Sequence, residues 1–247
     1  MYLREVCYDI DELTNANLHV HTSFSGCAKP EMRVRGIVER ADELGLEMIA
    51  LVDHHHRSDA PFIEKNICDR WLAEFYEAKV KILYGAELSA YGIGKRSDNP
   101  QLNAALDYRL YAANHYHLDF WEQPEDKSAR GYALHTIALL TELIKSGCAD
   151  CIAHPIMGGY VRCLEDKTEL TKALSDNELG DLLSLARDNK VAFEINEGAA
   201  FGDEEFTRRM WNIGREAGVV FHFGTDAHTL ANIDSKKSID RLRALLK

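Results

Sequence analysis

Asn17-Leu18-His19-Val20-His21-Thr22 decides how the rest of the chain is read. Two histidines flank one apolar residue where an apolar strand gives way to the glycine-containing loop 22–30. On a strand, residues i and i+2 leave the backbone on the same side. Both imidazoles can therefore face one ion. The pair alone is a weak signal, and its weight comes from what stands at the ends of the later strands.

Residues 48–52 are a continuous apolar run, as in a parallel strand buried on both faces, and they stop at Asp53-His54-His55-His56. Residues 80–84 lead to Gly85-Ala86-Glu87, and a strand within 106–114 leads to His115 and His117. Residues 151–153 precede His154, residues 191–196 contain Glu194 and Asn196, and residues 219–223 lead to Asp226 and His228. Helices are expected between them. Val34, Ile37, Val38, Ala41 and Leu44 have helical spacing. Further helices are expected at 63–79, 132–146 and 203–217, with one from 238 to 246. Ser175 and Glu178 form a capping-box signature before a helix at 176–189. Residues 1–14 read as an extension or edge segment. This alternation predicts one α/β domain over residues 1–247, with a parallel sheet of about seven strands closed or nearly closed into a barrel.

Composition narrows the function. A net charge of −11 argues against a general nucleic-acid-binding surface. The sequence shows no signal peptide and no apolar stretch of the ~20 residues that a membrane span needs, so a cytoplasmic protein without membrane contact is expected. The six cysteines are expected as thiols. Cys148 and Cys151 have C-x-x-C spacing but no second such pair, and read as buried or half-buried thiols leading into a strand.

The strand-end residues His19, His21, Asp53, His54, Glu87, His115 or His117, His154, Glu194, Asn196, Asp226 and His228 should share one face, because the C-terminal ends of parallel strands form the active face of α/β sheets and barrels. A ring of imidazoles and carboxylates there predicts a multi-metal site. The donor set favours zinc, manganese or iron over calcium or magnesium. Glu87, midway along the chain, is the natural bridging carboxylate. Ions ~3.5–4 Å apart activate a water and clamp phosphoryl oxygens. The sequence has neither a glycine-rich phosphate loop nor a G-x-S-x-G elbow. A metal-bound hydroxide is therefore the expected nucleophile.

The segments HVHTSFSG, ALVDHHH, GAELSA, IAHP, FEIN and GTDAH resemble, in order, the motifs of the PHP (polymerase and histidinol phosphatase) family, from about residue 17 to 232. The resemblance implies a distorted (β/α)7 barrel with a trinuclear metal site at the C-terminal strand ends. It implies two to three divalent transition-metal ions. One would be held by His19, His21, Glu87 and Asp226. A second would share Glu87 and add His115 and His154, and a third would take His54 and His228. Leu106-Asp107-Tyr108 fits the family's approach to its middle histidine, which favours His115 over His117. His117 then faces the substrate or supports the ligands. Two positions depart from the family pattern or extend it. The first loop reads Ser25-Gly26-Cys27 where a His or Asp is usual. Cys27 reads first as a buried apolar residue at the start of a helix, with a thiolate ligand as the alternative. His55 and His56 read as a solvated loop, and Glu194 and Asn196 as supports for the site loops.

The resulting expectation is a phosphatase acting on a small phosphomonoester through a metal-bridging hydroxide. Glu87 and Asp226 serve the reaction, and His228 or a metal-bound water protonates the leaving group. Arg162, Arg57 and His117 are the candidate substrate contacts, an arginine fork being suited to a phosphate. Rival readings are a histidinol phosphatase, a nuclease-like phosphodiesterase and a degenerate barrel acting as a binding scaffold. The sequence leaves the oligomeric state open.

Overall fold

The structure is a computed structural model and describes residues 5–56 and 77–247. Arg57 and residues 63–76 of the expected helix lie outside the described residues.

Seven strands form one parallel path: β1 (Ala16–Val20), β2 (Met48–His55), β3 (Lys81–Gly92), β5 (Tyr108–Ala112), β6 (Cys151–Ile152), β7 (Ala192–Asn196) and β8 (Phe221–Gly224). The two-residue β4 (Lys95–Arg96) pairs antiparallel with the end of β3. The path curls until β8 meets β1. A parallel bridge joins Val20 to Ala227. The His21 N–H donates to the Ala227 carbonyl at 3.0 Å, and the Ala227 N–H donates to the His19 carbonyl at 3.1 Å. The result is a nearly closed seven-stranded α/β barrel.

Strand periodicity places its contents. Leu18, Ala50, Val52, Leu83, Leu110, Ala153 and Val220 belong to one buried cluster drawn from β1, β2, β3, β5, β6 and β7 and the residues beside them. The alternate residues Ile49 and Leu51 pack against Val34, Ile37, Val38 and Ala41 of α2 (Val34–Glu43). Continuing the inward phase of β2 from Ala50 and Val52 reaches His54. The inward phase of β3 runs from Leu83 through Gly85 to Glu87. The two strands are paired in register, His54 opposite Glu87. An imidazole and a carboxylate therefore arrive side by side at the barrel mouth.

The helices cover the outside. They include α3 (Pro100–Ala105), α4 (Ala129–Lys145), α5 (Glu169–Lys172), α6 (Asp176–Asp188), α7 (Glu197–Gly202), α8 (Glu204–Ala217) and α9 (Ile239–Leu245). The capping box is present at α6, where Ser175 and Glu178 satisfy each other's backbone N–H groups. Gly218, at φ 77°, ends α8 in the left-handed conformation that glycine tolerates best.

Three expectations need correcting. Residues 10–14 are not an edge segment but a helix, α1 (Ile10–Thr14), capped by Asp9 and burying Leu13. A five-residue helix is too short to show a period. The strand expected to end near residue 84 runs on to Gly92, and β2 runs on through His55. His55 is consequently buried, and His56 donates to or accepts from Ser89 Oγ at 2.8 Å, so neither belongs to a solvated loop. No helix among the described residues is long and apolar enough to cross a membrane.

Candidate metal centre

Glu87 is the hub. Its side chain is 1% exposed, and five imidazoles surround it. Oε2 lies 2.6 Å from His54 Nδ1, 3.7 Å from His21 Nε2 and 3.8 Å from His19 Nε2. Oε1 lies 3.1 Å from His154 Nε2 and 3.8 Å from His115 Nε2. Asp226 closes the ring, with Oδ1 2.9 Å from His21 Nε2 and 3.4 Å from His19 Nε2. Three sets of donor atoms are near enough to hold an ion: His19, His21 and Asp226; His19, Glu87 and His154; and His21, His54 and His228.

The donor set suits transition metals, with imidazole nitrogens and carboxylate oxygens converging from several strands. A second observation fits the same purpose. Glu87 Oε2, Asp226 Oδ1 and His54 Nδ1 are buried yet have no hydrogen bond of acceptable geometry. Buried polar atoms normally find partners. Here they point at one another's space, as ligand atoms around an ion do.

Outer contacts orient the ring. Glu194 accepts from His19 Nδ1 at 2.7 Å through one oxygen and from the His154 backbone N–H at 2.5 Å through the other. This leaves His19 Nε2 as the donor atom facing the cluster, the usual arrangement behind a metal-binding histidine. Gly224 permits it. A Cβ built there would lie 2.1 Å from Glu194 Oε1 and 2.5 Å from His19 Cβ. Asp53 points away from the ring and folds the first loop instead, accepting from the Thr22 N–H, Thr22 Oγ1 and Ser25 Oγ, each at 2.7 Å. Ser25 Oγ in turn meets His21 Nδ1 at 3.2 Å.

Two ring members have left-handed backbones. Asp226 has φ 53° and His154 has φ 30°. Such conformations cost a non-glycine residue about 1–3 kcal/mol and persist where surrounding contacts over-determine them. At Asp226 the flanking Thr225 is held by Asn17, whose Oδ1 accepts from the Thr225 N–H at 3.1 Å and whose Nδ2 donates to Thr225 Oγ1 at 2.6 Å. At His154 the carbonyl accepts from Asn114 Nδ2 at 2.7 Å.

Electrostatics follow from this crowding. Burial would lower His54, but the Glu87 carboxylate beside it lifts it to about 10. Burial would likewise lower His19, yet the Glu194 and Asp226 carboxylates hold it well above its ordinary value. Burial would raise Glu87 and Asp226, but their histidine neighbours hold both below the carboxylate range. His115 goes the other way, burial pushing it down to about 3. The pocket thus stabilises negative carboxylates with cations, a role that protons and metal ions compete to fill.

The structure brings His19, His21, His54, Glu87, His115, His154, Asp226 and His228 to one mouth. His115 and His117 are on the loop after β5 rather than on a strand. His115 is buried against the cluster, while His117 is half-exposed and faces outward. Arg162 is exposed and close enough to His117 to lower its pKa, after the larger effect of burial. Cys27 is not buried: it is exposed, with Sγ 3.0 Å from His228 Nε2. Burial would raise its thiol, but the His228 and His54 imidazoles bring it down to about 6.

Sequence reading missed Tyr160, whose ring centroid lies 4.9 Å from that of His115 and 4.6 Å from that of His117. The glycine pair 158–159 just before it, in the loop after His154, was the available signal.

Comparison with known proteins agrees with this picture. The PHP domain family matches residues 17–198. A probable phosphatase of Vibrio campbellii (strain ATCC BAA-1116) is 26% identical over 231 residues, covering 91% of this chain and 81% of that protein. Among solved structures, a histidinol phosphate phosphatase from Lactococcus lactis, in complex with zinc, L-histidinol and phosphate, superposes with a TM-score of 0.60. Its identity is 17%, with 92% of each chain covered.

Proposed function

The chain belongs to the PHP domain family, and from that premise we propose that it is a metal-dependent phosphoesterase hydrolysing a small phosphomonoester. Glu87 carries this reading, as a buried carboxylate with imidazoles on both oxygens. His19, His21, Glu87 and Asp226 would hold one divalent ion, and Glu87, His115 and His154 a second. His54 and His228 would hold a third, with the Cys27 thiolate in the position that His or Asp usually fills. Zinc, manganese and iron suit these donors. The zinc in the histidinol phosphate phosphatase structure supports that choice.

When bound, such ions lower the pKa of a water and neutralise phosphoryl oxygens. The chain's own groups supply position. Glu194 fixes the tautomer and tilt of His19. Asp226 keeps its carboxylate anionic in the ring, and Glu87 reaches both neighbouring sites. His228 turns Nδ1 to the Asp226 carbonyl at 2.7 Å and Nε2 to Cys27, so we read it as a ligand rather than as the proton donor. Arg162 and His117, on the open side, are the contacts proposed for the phosphate.

The acidic net charge counts against a nuclease-like phosphodiesterase. Convergence of all eight proposed ligand side chains counts against a degenerate scaffold. The fold of the histidinol phosphate phosphatase keeps that specific activity as the alternative.

The test is hydrolysis of a panel of phosphomonoesters and phosphodiesters by protein loaded with zinc, manganese or iron, alongside elemental analysis. Metal-dependent release of phosphate from monoesters, abolished by a chelator, is expected. Protein that holds no metal, or activity indifferent to chelation, overturns the reading.

A further inference from the structure

Behind His154 and Asp226 a cavity of about 470 Å³ opens between the loop after β6 and the helices α7 and α8. This is within the size range of small-molecule sites. Its walls are mainly apolar, from Ile156, Met157, Ile195, Phe206 and Met210. It exists because the facing turn of α7 carries Gly198, Ala199 and Ala200, which leave its space unfilled. His154 and Asp226 belong to the proposed metal ring and also line this cavity, so the two adjoin.

The charged groups of the wall are already engaged. Glu194 is held by His19 and by the His154 N–H. Asp203 accepts from the Phe206 N–H at 3.0 Å and from Thr171 Oγ1 at 2.6 Å. The Lys167 ammonium donates to the Val161 and Leu164 carbonyls. Asp226 belongs to the histidine ring. These bonds fix the orientation of the lining carboxylates and of the ammonium group.

Among the lining residues, Asn196 offers a buried donor without a partner. Asn196 is 5% exposed and lines the cavity. Its Oδ1 caps α7 by accepting from the Ala199 N–H at 3.0 Å, which fixes the amide's orientation. Its Nδ2 has no partner. A buried donor without an acceptor costs about 1–3 kcal/mol, so a ligand that supplies the acceptor gains what the free protein lacks.

We propose that this cavity receives the alcohol part of the substrate, and that this part is apolar, about the size of an aromatic ring, with one hydrogen-bond acceptor for Asn196 Nδ2. The proposal rests on the phosphomonoesterase reading for the position of the phosphate at the metal ring.

Binding of phosphonates, which cannot be hydrolysed, tests the cavity apart from the reaction. Calorimetry on metal-loaded protein would compare ethylphosphonate, 3-phenylpropylphosphonate and 2-amino-3-phenylpropylphosphonate. Burying the ring predicts roughly tenfold tighter binding of the phenylpropyl compound than of the ethyl one. Asn196→Asp keeps a helix-capping oxygen but exchanges the donor for a charge, and should shift preference toward the ammonium compound. Ala199→Phe should erase most of the phenylpropyl advantage.

Equal binding of the ethyl and phenylpropyl compounds overturns the proposal. An advantage that survives Ala199→Phe overturns it too. Should Ala199→Phe fail to fold, the ligand comparison and Asn196→Asp still decide. Selective phosphonate binding without hydrolysis of any ester would instead sink the phosphomonoesterase reading and leave the cavity standing.

Discussion

His54 Nδ1 lies 2.6 Å from Glu87 Oε2, yet neither atom makes a hydrogen bond of acceptable geometry. The two residues are opposite each other on adjacent parallel strands, so the contact is set by register. Glu87 is thus held beside His54 of the third proposed site while its two oxygens face histidines of the first and second. Glu87→Ala is therefore expected to remove more metal and more activity than any other single ligand change. The loss should exceed the roughly 10–100-fold typical of outer contacts. Elemental analysis of the purified variant reads the first effect, and full metal content would refute the bridging role.

Cys27 and His228 make a second measurable pair. If the thiolate completes the third site, cobalt-loaded protein should show thiolate-to-metal absorption in the near ultraviolet. Cys27→Ser should lose that absorption together with one ion per chain. An unaltered stoichiometry in Cys27→Ser would return the residue to a bystander.

Gly224 matters through an approach that no other residue permits. An added Cβ would meet Glu194 Oε1 at 2.1 Å and His19 Cβ at 2.5 Å, and so would displace Glu194 from His19. Gly224→Ala should cost about 10–100-fold in metal affinity, the scale found when support behind a ligand histidine is lost. Competition with a chromophoric chelator measures it. Unchanged affinity would show that Glu194 is dispensable.

Arg162 is exposed, and no ion pair joins it among the described residues. If it grips the phosphate, Arg162→Ala should weaken inorganic-phosphate binding by ~1.5–3 kcal/mol, the scale of a hydrogen bond to a charged group. Metal content should hold. Phosphate inhibition equal to that of the unaltered protein would refute the contact.

Glu178 supplies a pH-dependent test away from the site. Hydrogen bonds from Arg130, then from Ser175, hold its carboxyl down to about 2. A depressed folded value means that its stabilisation is complete above the unfolded value of about 4.3 and is lost as pH falls toward 2. The Tm gap between the unaltered protein and Glu178→Gln should therefore be largest near neutrality and shrink through that window. A gap independent of pH would mean that the charge contributes nothing.

Much of this architecture could be read from the chain because its signals are local. The apolar run at 48–52 and the polar residues that end it are contiguous, and so are the two histidines of the first strand. The inward phase that delivers His54 and Glu87 follows from counting by twos. Other features are not local. Nothing around residue 55 reveals that β2 continues, because the continuation depends on pairing with a β3 that itself runs to Gly92. The left-handed backbones of His154 and Asp226 depend on Glu194, Asn114 and Asn17, distant partners that no sequence window contains. The cavity beside α7 is likewise an absence of side chains, visible only once its walls are assembled.

The barrel seam has one more implication. His19, Val20 and His21 meet Ala227 through a bridge and two backbone hydrogen bonds, and Asp226 reaches back to both histidines. The first and last strands are thus clasped by the same few residues that we assign to the first ion. Opening the barrel at this seam and releasing that ion would be a single event. Wear on the protein, by heat or by chelation, should then begin at the same place and expose the same two strand edges.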